Sequence, residues 1–242
     1  LGADPYKSDD DLYGCFRLME LLCANTHLPE HYVDAVDNLD VLWDKLASVS
    51  NVDRMAQIID FLVDIPRSDP SEKAAFLKLW YAFEGTIIPI WEKLTVGQAA
   101  SLRYLGSQIT GSEDRFETLP TIKKGQVRAQ ELDLKGKRLA ISTLTEGAAL
   151  RAKEILNSIY PELEIILNHD KVWTSALKNL AESSDYFVFA AKSSSHQAFY
   201  PLKEARKGKG LLYPDGKGST SIIRKIEAKF QEKRLEALEL PY

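Results

Sequence analysis

Tyr186 to Ala191 (YFVFAA) is an unbroken run of six apolar residues. No other stretch constrains the fold as strongly. The run is too short for a typical helix and rich in aromatic residues, which favours a strand. A strand with no polar side has no face to offer water, so it belongs inside a parallel sheet covered on both faces. Its neighbours agree. Lys137–Ser142 (KRLAIS), Leu163–Leu167 (LEIIL) and Gly210–Tyr213 are further short strand candidates. Gly147–Ser158, Trp173–Ala181, a segment ending at Lys207 and Ser219–Ala237 read as helices between and after them. This alternation predicts an α/β domain, a Rossmann-like parallel sheet of about four strands joined by right-handed crossovers.

The first half has another rhythm. Tyr32, Val36, Leu39, Leu42 and Leu46 recur at spacings of three and four, one buried helical face. Asp9, Asp10 and Asp11 before Leu12, Phe16, Met19 and Cys23 suit an earlier helix start. Asn51 is expected to cap a helix carrying Met55, Ile58, Ile59 and Leu62, and Asp69-Pro70 to open another. Pro89 breaks its continuation, and Thr95 with Gln98 forms a capping-box pattern opening a short helix toward Leu105. Trp43, Trp80 and Trp91 read as helical core. Strand signals are nearly absent, so residues 1–120 are expected to form an all-α domain preceding the α/β domain of residues 121–242. The boundary is set by the polar, weakly periodic stretch Ile109–Lys135.

Charge divides the same way. Residues 1–121 hold 10 Lys and Arg against 20 Asp and Glu, a balance of −10, and residues 122–242 hold 21 against 15, a balance of +6. Either the halves attract each other or they serve different partners. Hydrophobic content of 45% and charged content of 27% are ordinary for a globular protein. No apolar run approaches the length of a membrane span, and no signal peptide opens the chain. A cytoplasmic protein is expected. The chain opens at Leu1 rather than Met, which fits a fragment or processed product. Cys15 and Cys23, eight apart on one helical stretch, read as buried thiols rather than a disulfide.

In a doubly wound sheet, ligands bind beyond the carboxyl ends of the strands. Four loops are expected there: Thr143–Gly147, Asn168–Asp170, Lys192–His196 and Asp215–Thr220. The last is the most suggestive. Gly216 and Gly218 permit close backbone approach, Lys217 supplies a positive charge, and Ser219 with Thr220 opens a helix whose N-terminus favours an anion. A plain turn would use the same glycines for positive φ and Ser219 as a cap. Thr143, Thr145, Gly147, Lys192, Ser195 and His196 complete the expected ligand-binding set. His196 at a helix start is the one candidate acid or base. No Walker A loop is present, and neither a His169–Asp170–His196 metal site nor a Ser195–His196 triad has supporting spacing. No metal and no cofactor is expected. Lys203, Arg206, Lys207 and Lys209 form a basic run, either a solvated helix end or a nucleic-acid patch.

Ser194-Ser195-His196 after the YFVFAA strand and Gly216-Lys217-Gly218-Ser219 before the last helix, with the His169-Asp170 stretch between strands, carry a resemblance. Residues 135–230 resemble an uncharacterised bacterial Rossmann-like family, found also as the C-terminal module of DpdD-type proteins of prokaryotic defence. The resemblance implies an antiviral defence setting and supplies no reaction. The function expected is a non-catalytic subunit sensing a nucleotide, nucleic acid or phosphate, or serving as scaffold, with the helical half docking other protein subunits. The alternatives are a phosphodiester- or nucleotide-processing enzyme using His196 and a purely structural interaction subunit.

Overall fold

The computed structural model describes residues 14, 18, 21, 28–65, 67–122, 133–191 and 196–239. The expected helix through Phe16, Met19 and Cys23, the two thiols, and Lys192 and Ser195 lie outside them. The chain divides into two compact units, Leu1–Leu94 with Leu105–Pro120, and Thr95–Tyr104 with Thr121–Tyr242.

The described residues of the first unit form helices and the turns between them, with no strand among them. Helix α1 (Pro29–Leu46) buries Tyr32, Val36, Leu39 and Leu42 as its spacing requires. Helix α2 (Val52–Val63) buries Met55, Ile58, Ile59 and Leu62. Asn51 precedes it but gives it no side-chain cap. Its amide donates instead to the Leu46 carbonyl at 2.8 Å, closing the end of α1 rather than the start of α2. Helix α3 (Pro70–Ile87) opens on a capping box between Asp69 and Glu72 with proline at its first position. Pro89 then tightens the chain into a 3₁₀ segment, Ile88–Lys93. Trp80 lies edge-on to Phe116, and Trp91 stacks on that ring at 5.2 Å. Trp43 meets Phe83 edge-on and donates to Thr86 Oγ1 at 2.7 Å.

Helix α4 (Val96–Thr110) opens on the expected reciprocal box. Gln98 N–H donates to Thr95 Oγ1 at 3.1 Å and Thr95 N–H to Gln98 Oε1 at 2.9 Å. It runs five residues past Leu105. Its opening turns belong to the second unit, where Ala100 and Tyr104 pack on the α/β core and the Tyr104 hydroxyl donates to Glu154 at 2.5 Å.

The rest of the second unit is a three-stranded parallel sheet in the order β2-β1-β3: β1 Arg138–Ser142, β2 Glu164–Asn168 and β3 Tyr186–Phe189. Side chains alternate. Leu139, Ile141, Tyr186 and Val188 join a core with α5 (Glu146–Ile159) and α8 (Ser219–Glu239), built around Ile155, Leu156, Ile226 and Phe230. Ala140, Phe187 and Phe189 join the opposite core with α6 (Ser175–Ser183) and α7 (His196–Ala205), through Leu177, Ala181, Ala198 and Leu202. The apolar run is thus buried on both sides from Tyr186 to Ala190, which is why it carries no polar position there.

The expectation of a fourth strand is corrected. Gly210–Tyr213 contributes a single bridge, Leu212 to Val188. Leu212 N–H donates to the Phe187 carbonyl at 2.8 Å and Phe189 N–H to the Leu212 carbonyl at 2.9 Å. The next rung in one direction would need an N–H at Pro214, which proline lacks. In the other direction the Gly210 carbonyl is engaged by the Arg206 guanidinium at 3.2 Å. Pairing stops after one residue. The sheet is not the four-stranded Rossmann-like one expected.

Candidate functional site

Strand β1 is central, and the chain leaves it first for β2 on one side and then for β3 on the other. Such a reversal opens a crevice outside the carboxyl ends of the two strands. Its rim is built by the residues after β1, after β3 and after the Leu212 bridge.

The β1 rim is hydrogen-bonded to itself and to β2. Thr143 is buried, and its Oγ1 accepts from Thr145 N–H at 3.2 Å. Thr145 takes the cap position of α5 without a side-chain cap bond, and Gly147 lies inside that helix rather than in the loop. Glu146 stands in the first turn of α5, where its charge already complements the helix end. This N-terminus is a poor place for a second anion.

The first turn of α8 has the opposite character, with no acidic residue. Ser219, Thr220 and Ser221 are all buried, at 1%, 3% and 3% exposure. Ile222 N–H donates to the Gly218 carbonyl at 3.4 Å, and the amides of the three residues before it are the first-turn donors that a helix leaves outside its own ladder. The Thr220 hydroxyl is buried without a hydrogen-bond partner. The helix begins at Ser219. The loop is held by another bond, from Gly216 N–H to Ser221 Oγ at 2.6 Å. Lys217 is exposed and Gly216 and Gly218 are half-buried. Among the described residues, glycines with positive φ are Gly111, Gly136 and Gly208. Gly216 and Gly218 are not among them, so backbone conformation does not demand glycine at either position.

His196 is the first residue of α7, and Pro201 sits within that helix. The His196 side chain lies outside the described residues. His169 is better defined. Its Nδ1 lies 2.7 Å from the Thr143 carbonyl, tying the β2 loop to the β1 loop. A carbonyl only accepts, so Nδ1 is the donor and Nε2 is the ring nitrogen left outside this bond. Asp170 accepts from Thr174 Oγ1 at 2.5 Å and from Asn168 Nδ2 at 3.0 Å. The Thr174 hydrogen bond, then that of Asn168, holds the Asp170 carboxyl below its ordinary range. Asp170 is thereby engaged in shaping its own loop. Among the described residues, no three His, Cys, Asp or Glu side chains gather as metal ligands would.

The basic run separates into parts. Arg206 is only 2% exposed, so it is no phosphate-binding cation. Its guanidinium donates to the carbonyls of Ala181 and Ser184 through Nη1, Asp185 and Gly210 through Nη2, and Lys209 through Nε. Lys209 donates to the Glu182 carbonyl at 3.0 Å. Lys203 and Lys207 remain exposed. Reading the run as a charge cluster hides one signal. Ala198, Leu202 and Arg206 are spaced by four, so Arg206 continues the buried stripe of α7.

A family model described as DpdD-like matches residues 4–225. The chain belongs to the DpdD-like family. The match takes in the helical half as well, although the motifs that carry the resemblance lie between residues 135 and 230. Membership fits a defence-related setting. No curated protein and no solved structure matches the chain. No described helix is long and apolar enough to cross a membrane.

Proposed function

We propose that the chain is a non-catalytic subunit of a bacterial antiviral defence assembly, whose α/β unit holds a phosphate-bearing ligand at the carboxyl edge of the sheet. In this reading the helical residues 1–120 dock other protein subunits. The carrying observation is the first turn of α8: three buried hydroxyl residues, one hydroxyl without a partner, no acid, and amides preceding the helical ladder. Such a helix end binds an anion through its N–H groups and its partial positive charge. Gly216 and Gly218 keep the backbone open to the ligand, and Lys217 adds charge from the solvent side.

The test is a thermal-shift titration of the whole chain with inorganic phosphate and with mono-, di- and cyclic nucleotides. A ligand at a hundred times its Kd adds about 2.7 kcal/mol of stability. Gly218→Asp should abolish the shift while leaving the fold intact, because aspartate is a good cap but repels an anion. A shift that survives Gly218→Asp, or none with any compound, defeats the proposal.

A second reading, a phosphodiester- or nucleotide-processing enzyme, is favoured by one observation. The Thr143 carbonyl orients the His169 ring through Nδ1 and leaves Nε2 outside that bond. Hydrolysis of a nucleotide or oligonucleotide by the purified chain, lost in His169→Ala or His196→Ala, would establish it.

A further inference from the structure

We infer that the phosphate-bearing ligand is single-stranded nucleic acid, with a base stacked on Tyr200. The inference rests on the phosphate-binding reading above and adds to it a surface that charge patterning alone did not show. Tyr200 is 77% exposed, the most exposed large apolar side chain among the described residues of its unit. A ring so placed gains nothing from core packing, yet it is not loose. Phe199 lies edge-on to it at 5.3 Å and is itself packed 5.9 Å from Phe189, the buried last residue of β3. Tyr213, also exposed, lies 6.2 Å from the same Phe199 ring. Two exposed tyrosines are therefore pinned through one phenylalanine to the end of the apolar strand β3.

Both stand at the edge where the α8 turn lies. Tyr200 is in the first half of α7, which follows β3, and Tyr213 follows the Leu212 bridge and precedes Lys217 by four residues. Charge runs on from the ring. Lys203 is exposed one helical turn beyond Tyr200 on α7, and exposed Lys207 follows in the turn after the helix. Exposed Glu204 and Asp215 interrupt the positive charge without reversing it, and residues 122–242 as a whole balance at +6. A single nucleotide would need one ring and one anion site. Flat rings followed by exposed lysines suit a strand, whose bases stack on tyrosine while its phosphates meet lysines.

The experiment measures binding of labelled single strands of about ten nucleotides, DNA in one arm and RNA in the other, to the full chain by fluorescence anisotropy. Thermal shift with inorganic phosphate is measured in parallel. Tyr200→Ala should weaken strand binding about fivefold or more, and Tyr200→Phe should restore it, since the ring face is what stacks. The phosphate shift should be unchanged in both variants, and Lys203→Gln should flatten the salt dependence of strand binding. The tighter arm identifies the source of the strand, and either arm supports the inference. Strand binding that ignores Tyr200→Ala, preference for a duplex, or a phosphate shift without strand binding overturns the inference and leaves the phosphate reading standing. Neither a phosphate shift nor strand binding overturns both.

Discussion

Replacing Arg206 by methionine should selectively loosen the α/β unit, and the size of the effect follows from its hydrogen bonds. All five guanidinium protons are committed to main-chain carbonyls, at 2.6 to 3.2 Å. Two of these bonds, to Ala181 and Ser184, are buried, and the other three are partly buried. Methionine keeps the apolar stem and removes the fork. Each fully buried carbonyl left without a donor costs about 1–3 kcal/mol, while the others regain water at little cost. Two such groups give about 2–6 kcal/mol, and relief of the guanidinium's own desolvation pulls the net toward about 2–4 kcal/mol. At a urea slope of about 1–3 kcal/mol/M, the unfolding midpoint should fall by roughly 1–2 M. Hydrogen exchange locates the loss. Peptides spanning residues 177–190 and 202–212 should exchange faster, and those of α1 to α3 should not change. Arg206→Lys should behave nearly as badly as methionine, because an ammonium cannot span five acceptors on two segments. A midpoint shift within error for methionine, or full rescue by lysine, would refute the clamp.

Tyr160 gives a signal at high pH. Burial, then the nearby Glu227 charge, pushes its phenol up to about 12. A raised folded-state pKa means this contribution is present below pH 10 and is lost as pH rises from 10 toward 12, since only the unfolded phenol ionises readily there. Tyr160→Phe should remove this part of the alkaline limb of a stability-versus-pH curve. Thr174→Ala should cost about 1 kcal/mol by removing the cap that accepts from Leu177 N–H at 3.0 Å. The same variant should raise the Asp170 pKa in an NMR titration. A folded-state pKa held below 3.8 protects the native state above that value and loses this protection as pH falls through the lower folded value, so Thr174→Ala should also weaken the acid limb.

Where the sequence was legible, one face or both faces of an element told the story. YFVFAA announced a doubly covered strand because none of its side chains could meet water, and Phe187 and Val188 do enter opposite cores. The Thr95–Gln98 box was legible because capping chemistry is local. Asn51 was misread because a capping residue between two helices can serve either, and here it closes the one before. The fourth strand was misread because strand propensity says nothing of what ends a ladder, and here Pro214 has no N–H for the next rung. Arg206 itself was hidden by its charge, since grouping it with lysines overlooked its place on the Ala198–Leu202 stripe. Tyr200 and Tyr213 are thirteen residues apart, and Phe199, the ring between them, marks neither as part of a shared surface until the fold joins them.

The glycines before α8 offer a sharper discrimination between a turn and a site than any charged residue there. A turn retains glycine because φ is positive, and alanine then strains the backbone. Gly216 has no positive φ, and its N–H already serves Ser221 Oγ, a bond alanine would keep. On backbone grounds Gly216→Ala should leave stability unchanged or raise it by about 0.4–1 kcal/mol, because alanine restricts the unfolded chain. Binding should move the other way. If the glycine is there so that a phosphate can approach the backbone, a methyl group at that point weakens the ligand-induced thermal shift. Stability held and the shift reduced is the signature of a binding loop. Stability lost with the shift intact would mean that the neighbours of Gly216, rather than a ligand, require the missing side chain, and the loop would be a packing element.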